Sequence, residues 1–254
     1  MPDGMTLMGW LRETRMAFDT LENFYDNYAA FKRYQTPVVK AKHVRWYDRE
    51  FWDPAGCTAD TPVLELGSGT GEFLSYLKQK GVRRFLGVEQ DAGAVAVMEP
   101  GLEDHVHVGD IWDFLEAGNK DGLFGCVVML DVLEHFSAGD GVRLLNTIKG
   151  MLAPGGRVVA RVPNMGSPWG GLHQFADLTH KTAFTPKSLE QLGQAAGYRS
   201  LTFLAQRRGS PFRRLAEDCL HGLLSKILVV TPIVWTANMI AVLEVADGGG
   251  GGEG

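Results

Sequence analysis

The chain has 254 residues, a formal net charge of −5, and a composition that is 45% hydrophobic and 22% charged. This length can bury the core of one domain with an appendage, and the composition is typical of a globular protein. The acidic balance argues against a nucleic-acid partner, because phosphate binding requires a basic face. The three cysteines lack metal-ligand spacing and the N-terminus lacks a signal-peptide pattern, so we expect a cytoplasmic protein.

Residues 1–60 are predicted to form an N-terminal helical extension. Aromatic and apolar side chains recur at helical spacing from Phe18 to Phe31, until Pro37 breaks the pattern. A second, shorter helical stretch runs from about Val38 to Phe51. We expect the aromatic residues of this extension to pack on the following domain, and a role in lining a substrate site is the alternative.

Residues 61–247 are predicted to form one α/β domain, in which apolar strands alternate with helices around a mostly parallel sheet. The predicted strands span residues 63–66, 84–88, 105–108, 124–130 and 157–162. Two more, 198–205 and 236–245, can pair antiparallel at the end of the sheet. The predicted helices span residues 70–80, 92–98, 141–152 and 186–197, with a turn at 154–156. The glycine-rich residues 248–254 are predicted to be a flexible tail.

The first strand of this domain leads into a glycine-rich turn, Glu65-Leu66-Gly67-Ser68-Gly69-Thr70-Gly71. Ligands of open parallel sheets bind at the carboxyl ends of the strands, and glycines let the backbone turn sharply and approach a ligand closely. A dinucleotide site would need a third glycine where Glu72 stands, and a carboxylate there would repel a pyrophosphate. The acidic flanks instead suit a cationic ligand such as S-adenosylmethionine, which carries a sulfonium and an ammonium.

Carboxylates also follow the second and third strands. Glu89, before Gln90, can accept hydrogen bonds from both hydroxyls of a ribose. Asp110 can accept from an adenine amino group, and Ile111 or Trp112 can cover the ring. The sequence therefore predicts an adenosine-binding edge on this sheet.

Five segments, in this order, resemble the motifs of class I S-adenosylmethionine-dependent methyltransferases. They are the glycine-rich turn, Glu89, Asp110, the D-x-L-E-H segment Asp131–His135, and the L-x-P-G-G turn Leu152–Gly156. The resemblance covers residues 61–245 and implies a Rossmann-like sheet of seven strands with the last inserted antiparallel. It implies S-adenosylmethionine as cofactor, with glycines around its methionine part, Glu65 reaching its ammonium through water, and Asp131 with Leu133 bordering the pocket. The predicted cofactor-binding residues are Glu65, Gly67, Gly69, Gly71, Glu89, Gln90, Asp110, Ile111, Asp131 and Leu133.

The irregular stretch 163–186 is predicted to be an acceptor-binding loop, because loops of this length within compact domains are usually functional. A hydroxyl acceptor benefits from a general base. The candidate catalytic residues are His135, His173, Asp177 and His180, with one histidine accepting the proton and Asp177 orienting it. The alternatives are hydrogen bonds that only tie the loop together, or a metal held by the loop residues, and we predict no metal.

A looser resemblance concerns the acceptor. Segments 163–170, 177–180, 184–186 and 236–242 resemble a bacterial methyltransferase group associated with surface-polysaccharide and glycan biosynthesis. It implies O-methylation of a sugar or lipid-linked sugar. The alternatives are another small molecule, methylation at nitrogen, an NAD-dependent oxidoreductase, and a non-catalytic domain that binds the donor.

The insert 207–235 is relevant to where in the cell the protein acts. Arg207, Arg208, Arg213 and Arg214 precede an apolar stretch, Leu220–Val234, which is interrupted by Lys226. We predict a buried helix that leads into the last strand, and the alternative is an amphipathic helix on the inner face of a membrane. Pro232 and later polar residues interrupt the stretch, so we predict no transmembrane span.

Overall fold

The computed structural model describes residues 33–118 and 122–245. The predicted helix between Phe18 and Phe31 and the predicted tail 248–254 lie outside the described residues. The described chain forms an α/β fold around one sheet of seven strands in the order β3-β2-β1-β4-β5-β7-β6. The strands are β1 Val63–Leu66, β2 Phe85–Glu89, β3 Val106–Val108, β4 Phe124–Leu130, β5 Leu152–Pro163, β6 Tyr198–Ala205 and β7 Asn238–Val245.

The sheet is parallel from β3 to β5, and β7 lies antiparallel between β5 and β6. This confirms the predicted Rossmann-like sheet with its last strand inserted antiparallel. In the register of β7, Met239 pairs with Val162 of β5 and with Ala205 of β6. The segments after β5 and after β6 therefore leave the sheet at the same edge as the turns after β1, β2 and β4. We call this edge the carboxyl edge.

Helices cover both faces of the sheet, and each face has its own apolar core. Alternating residues of β1 show the division, since Leu64 and Leu66 belong to one core and Val63 to the other. The helices are α1 Ala41–Tyr47, α2 Asp53–Ala55, α3 Glu72–Gln79, α4 Ala92–Val95, α5 Ile111–Glu116, α6 Ala138–Lys149, α7 Gly171–Gln174, α8 Pro186–Ala195 and α9 Pro211–Ile227. A π-helical turn, Asp48–Trp52, joins α1 to α2, and short 3₁₀ turns occur at Glu103–His105 and Leu133–His135.

The described part of the N-terminal extension packs against α3. Tyr47 and Phe51 are buried there with Phe73 and Tyr76, and the Phe51 and Phe73 rings are 4.8 Å apart and perpendicular. Aromatic burial of this kind holds the extension on the face of the sheet that α3 covers.

Several predicted boundaries differ from the structure by a few residues, and two of the differences have a clear physical cause. Helix α6 begins at Ala138 and not at residue 141, because the Ser137 hydroxyl caps it by accepting from the Asp140 amide at 3.1 Å. The turn predicted at 154–156 lies within β5 as a bulge, because β4 pairs with Leu152 and then next with Arg157.

The insert differs most from its prediction. Helix α9 has no buried residue, so the expected buried helix is wrong. No described helix is long and apolar enough to cross a membrane.

Candidate functional site

The turn between β1 and α3 has the backbone that its glycines permit. Gly67, Gly69 and Gly71 all have positive φ, at 73°, 53° and 79°. The amides of Gly67 and Ser68 both donate to the Val88 carbonyl, at 2.8 and 3.0 Å, which ties the turn to β2. A Cβ on Gly67 would lie 2.5 Å from Cγ2 of Val132. The turn therefore requires glycine at this position for space as well as for conformation.

The Glu89 carboxylate joins the end of β2 to this turn. Oε2 accepts from the Gly69 amide at 2.7 Å, and Oε1 accepts from the Asp91 amide at 2.8 Å. Burial raises the pKa of Glu89, while these amides oppose the rise. A carboxylate oxygen has more than one acceptor site, so a held carboxylate at this edge can still receive the two hydroxyls of a ribose.

Glu65 lies beneath the turn, 2% exposed, and its Oε2 has no hydrogen-bond partner among the described residues. Burial and the neighbouring charge of Glu89 raise the pKa of Glu65 well above its usual value. The buried Ser68 hydroxyl also has no partner in the described chain. Buried acceptors without donors are costly, and a cationic group bound at the turn would relieve that cost.

The other predicted cofactor residues lie along the same edge. Asp110 caps α5, since its Oδ1 accepts from the Trp112 amide at 2.6 Å. Ile111 is half-buried beside it, and Gln90 is exposed after β2. Leu133 is fully buried in the core, so Val132 is the residue of that segment that contacts the turn. The contacts of these residues with a cofactor stay predictions.

Asp131 has a strong partner that the sequence reasoning missed. Arg161, near the end of β5, binds it in a bidentate manner, with Nε to Oδ1 at 2.9 Å and Nη2 to Oδ2 at 2.5 Å. Desolvation would raise the pKa of Asp131, but Arg161 outweighs it and lowers that pKa. The sequence signal that could have predicted this pair is an arginine near the end of an apolar strand, since a buried arginine requires an acidic partner. The pair holds Asp131 in its left-handed conformation, with φ of 60°.

The loop 163–186 folds back onto the segment after β4. The Thr179 hydroxyl donates to Oδ1 of Asp177 at 2.6 Å and lies 2.9 Å from Nδ1 of His135. Because the Thr179 proton points to the carboxylate, the threonine oxygen accepts from His135, and Nδ1 carries the hydrogen. Asp177 thus orients His135 through Thr179, and the lone pair of the imidazole lies on Nε2.

His180 completes this cluster. Its Nδ1 lies 2.9 Å from the Gln174 carbonyl, which can only accept, so this ring too carries its hydrogen on Nδ1. The His180 and His135 rings are 4.7 Å apart. Nε2 of His180 lies 4.0 Å from Oε1 of Glu134. The loop and the turn after β4 therefore bring two imidazoles together edge to face, near one carboxyl group.

Glu134 is the second residue that the sequence reasoning missed, although it belongs to the D-x-L-E-H segment. It is 0% exposed, and neither carboxyl oxygen has a hydrogen-bond partner within the described residues. Burial, followed by the charge of Asp131, raises the pKa of Glu134 well above its usual value. Ligand atoms of Glu134, His135 and His180 lie within 4.8 Å of one another, so these three residues could hold a metal ion.

His173 lies apart from this arrangement. It is exposed on α7. Of the four predicted catalytic residues, the structure brings together His135, Asp177 and His180.

Comparisons with known proteins agree with this geometry. A methyltransferase domain family matches residues 45–202, which is more than half of the chain. The chain belongs to this family. A search of curated proteins found no match.

Solved methyltransferases share the fold. One from Archaeoglobus fulgidus, described as dependent on S-adenosylmethionine, is 19% identical with a TM-score of 0.58, over 79% of this chain and 90% of that chain. One from Clostridium acetobutylicum is 10% identical with a TM-score of 0.55, over 91% of this chain and 100% of that chain. DhpI, solved in complex with SAH, is 15% identical with a TM-score of 0.52, over 88% and 94% of the two chains.

The methyltransferase takes S-adenosylmethionine as its cofactor, and the donor edge fits this molecule. The buried Glu65 carboxyl beneath the glycine turn has an oxygen without a partner among the described residues, and a cationic ligand at the turn would suit it. Glu89, held at the end of β2 by the Gly69 amide, stays the predicted ribose-binding residue. An anionic dinucleotide would instead meet Glu65, Glu72 and Glu89 together, which electrostatics disfavours.

Proposed function

We propose that this methyltransferase transfers a methyl group from S-adenosylmethionine to a hydroxyl of a sugar or glycan intermediate. The observation that carries the proposal is the arrangement of Asp177, Thr179 and His135 at the carboxyl edge, next to the donor turn. A nitrogen acceptor needs only its lone pair, whereas a hydroxyl is a poor nucleophile that gains from a base. An oriented imidazole is therefore best explained by an oxygen acceptor.

The bound cofactor supplies an electrophilic methyl group on a sulfonium. His135 accepts the proton of the acceptor hydroxyl on Nε2, since its Nδ1 hydrogen is engaged by Thr179. Asp177, acting through Thr179, keeps the ring in this tautomer and stabilises the imidazolium that forms. A ligand atom of the buried Glu134 lies within 4.8 Å of one on His135, so an ionised Glu134 would stabilise the imidazolium.

The form of the loop supports a carbohydrate acceptor. Trp169 and Phe175 are exposed, at 43% and 72%, on the segment that also carries the catalytic cluster. Exposed aromatic rings beside a polar cluster offer an apolar face and hydrogen-bonding groups together, which suits a sugar ring. The resemblance of segments 163–170, 177–180 and 184–186 to glycan methyltransferases favours the same class.

The test is turnover on a panel of sugar and nucleotide-sugar acceptors, with donor binding measured separately by calorimetry. We expect His135→Ala and Asp177→Asn to lower kcat about 10²-fold or more, with donor affinity within a few-fold of wild type. Thr179→Val is expected to behave like Asp177→Asn, because it breaks the same chain of hydrogen bonds. The exposed His105→Ala variant serves as the control.

Several results would count against the proposal. Full turnover by His135→Ala, His180→Ala and Asp177→Asn would remove the base from the mechanism. Methylation of amines with no activity on hydroxyls would establish the nitrogen alternative. Donor binding without turnover on any acceptor would favour a non-catalytic binding domain. Loss of activity on chelation, restored by a divalent cation, would assign the Glu134, His135 and His180 cluster to a metal instead.

The proposed acceptor includes lipid-linked sugars, and the proposed location is cytoplasmic, at the inner face of a membrane. The proposed location rests on the apolar and basic residues of the insert between β6 and β7.

A further inference from the structure

Helix α9 packs on the protein with its polar side. Three of its residues are half-buried against the body, namely Arg214, His221 and Leu224, and all the others are exposed. The His221 ring stacks on Trp235 at 5.0 Å, and the Ser225 hydroxyl accepts from Nε1 of Trp235 at 3.1 Å. At about 100° per residue, Arg214, His221 and Ser225 lie on one side of the helix.

The apolar side of α9 faces outward. At the same spacing, five small or apolar residues fall within an arc of about 80° on the opposite side. They are Phe212, Ala216, Cys219, Leu223 and Ile227. Phe212 is 80% exposed and Ile227 is 67% exposed, with Leu215 and Leu220 exposed at the borders. A surface helix normally does the reverse and turns this stripe to the core.

The outward apolar surface continues after the helix. Val229 is 101% exposed and Val230 is 84% exposed. We call these residues together with the outward side of α9 the apolar stripe. Soluble monomers rarely expose apolar surface that is contiguous over such a length, so the stripe indicates a docking surface.

An arginine-lined cleft lies on the body side of α9 and meets the border of this stripe at Leu215. A cavity of about 400 Å³ lies between the π-helical turn and α9 and is lined by Arg49, Arg207, Pro211, Arg214, Leu215 and Asp218. Asp218 pairs with Arg207, and Nη2 of Arg49 donates to the Arg207 carbonyl at 3.2 Å. Three guanidinium groups thus face one carboxylate. The cleft suits a phosphate group.

The charge of the insert also differs from that of the chain. Residues 207–235 contain five basic and two acidic residues, within a protein of net charge −5. Arg213 and Lys226 lie at opposite borders of the apolar stripe. There the apolar stems of these side chains can lie along the stripe while their charged ends reach a polar environment. A basic border around an apolar stripe is the pattern of helices that lie in the interface of an anionic bilayer.

The stripe lies at the carboxyl edge. The insert leaves β6 at Ala205 and is tied to the acceptor loop, since Asn164 Nδ2 donates to the Val234 carbonyl at 2.8 Å and the Ser167 hydroxyl donates to the Trp235 carbonyl at 2.6 Å. The loop itself exposes Leu172 and Leu178 at 77% and 69%. A membrane bound by α9 would therefore lie next to the predicted acceptor loop.

We propose that α9 and its arginine cleft dock the protein on an anionic lipid bilayer. The apolar stripe inserts at the level of the acyl boundary, and Arg49, Arg207 and Arg214 hold a lipid phosphate. A second copy of the chain is a poorer occupant, because a two-fold interface would bring the two arginine clusters together. The docking does not depend on the chemistry of the acceptor. It deepens the proposed function only by placing the acceptor loop where a lipid-linked sugar would be presented.

The experiment is flotation of the full chain with vesicles of phosphatidylcholine alone or mixed with phosphatidylglycerol. Wild type is expected to float with the anionic vesicles, and less so as salt is raised. The double variant Leu220→Asp/Leu223→Asp should lower the partition coefficient about tenfold or more. Arg49→Gln/Arg214→Gln should lower binding to anionic vesicles while leaving the weak binding to neutral ones unchanged.

Leu123→Asp is the matched control. Leu123 is 46% exposed, against 48% for Leu220, but it precedes β4 at the opposite edge of the sheet. The control should float like wild type, and circular dichroism shows whether each variant is folded.

Three results would overturn the proposal. Wild type could fail to float with both vesicle types, or Leu123→Asp could lose as much binding as the double variant. Light scattering could also show a dimer that Leu220→Asp/Leu223→Asp dissociates, which would make the stripe an interface between copies. Donor binding and turnover on a soluble acceptor, measured on the same variants, separate this test from the proposed function, since docking variants should retain both.

Discussion

At the scale of single residues, the site contains groups whose native conformation or burial costs folding free energy. Gly67 has a conformation and a contact that no other residue tolerates. Glu65 and Glu134 are buried carboxyls with unpartnered oxygens among the described residues. Such costs persist where the surrounding structure imposes them, and they commonly accompany binding and catalysis. Each cost can be measured by substitution.

Alanine substitutions at two glycines of the donor turn distinguish the free-energy cost of backbone strain from the cost of steric overlap. Gly69→Ala places a Cβ in open space at φ of 53°, so it should cost only about 1–2 kcal/mol of unfolding free energy. Gly67→Ala adds the 2.5 Å contact with Val132 and should cost about 1–3 kcal/mol more. Urea unfolding of the two variants measures the difference. Equal losses would mean that Val132 moves freely.

Glu134 should make stability depend on pH. Its folded pKa is raised, so the ionised form is disfavoured in the native state, and its contribution to stability is lost as pH rises from about 4 towards the folded pKa. Glu134→Gln removes this loss. We expect the variant to be more stable than wild type at pH 7 and nearly equal at pH 4, by urea unfolding. The exposed Glu217→Gln variant should show no such divergence. A Glu134→Gln variant less stable than wild type at pH 7 would mean that the carboxylate has a cationic partner.

At the scale of elements, the acceptor loop is the feature that adapts a common fold to one reaction. Its N-terminal part is held by Asn164, which is fully buried and bonds to the carbonyls of Val234 and Thr236. Its C-terminal part is held by the Lys181 and Thr182 amides, which donate to the Glu134 carbonyl. The loop is thus fixed to both the insert and the segment after β4, so a disturbance at one end should reach the catalytic cluster.

Neighbouring glycines of this loop test that coupling. A Cβ on Gly170 would lie 1.9 Å from the Asn164 carbonyl oxygen, whereas a Cβ on Gly171 would meet only the Phe175 ring at 3.7 Å. Gly170→Ala should therefore shift the loop and lower kcat at least about tenfold with donor affinity retained. Gly171→Ala should remain close to wild type. Calorimetry measures the donor affinity of both variants, and turnover assays measure their kcat. Equal kcat values would show that the loop does not position the cluster.

At the scale of the whole molecule, one sheet carries the donor site, the catalytic cluster and the insert along a single edge. The two apolar cores share this sheet, so we expect the described domain to unfold as one unit. A ligand that binds at the edge should then stabilise the entire domain. The free energy of unfolding of the domain therefore reports which ligands bind at the carboxyl edge.

Donor binding should raise the free energy of unfolding. S-adenosylmethionine at about 100 times its Kd should add about 2.7 kcal/mol, and NAD should add nothing. Glu89→Ala should lose most of the increase, because Glu89 holds the turn through Gly69 and is the predicted ribose-binding residue. Thermal or urea unfolding with each ligand makes the measurement. Stabilisation by NAD alone would contradict the assignment of the donor.

The sequence by itself determined the class of the fold, and it predicted the donor edge. Strand and helix periodicity, the glycine turn, and carboxylates after successive strands are local patterns, and a parallel sheet brings successive strand ends to one edge. The donor turn and Glu89 could be found in this way because each is encoded by its own segment. The antiparallel insertion of β7 was expected from the family resemblance, and the register in the structure confirms it.

Only the tertiary structure decided how distant segments meet. The Asp131–Arg161 pair joins β4 to β5, and the cluster of Glu134, His135 and His180 joins two segments that are 45 residues apart. Contacts of this kind depend on loop conformation, which no periodicity encodes. The orientation of α9 is the clearest case. Its sequence shows an apolar stripe, and a stripe normally predicts burial, but packing of His221 and Arg214 on the body turned that stripe outward.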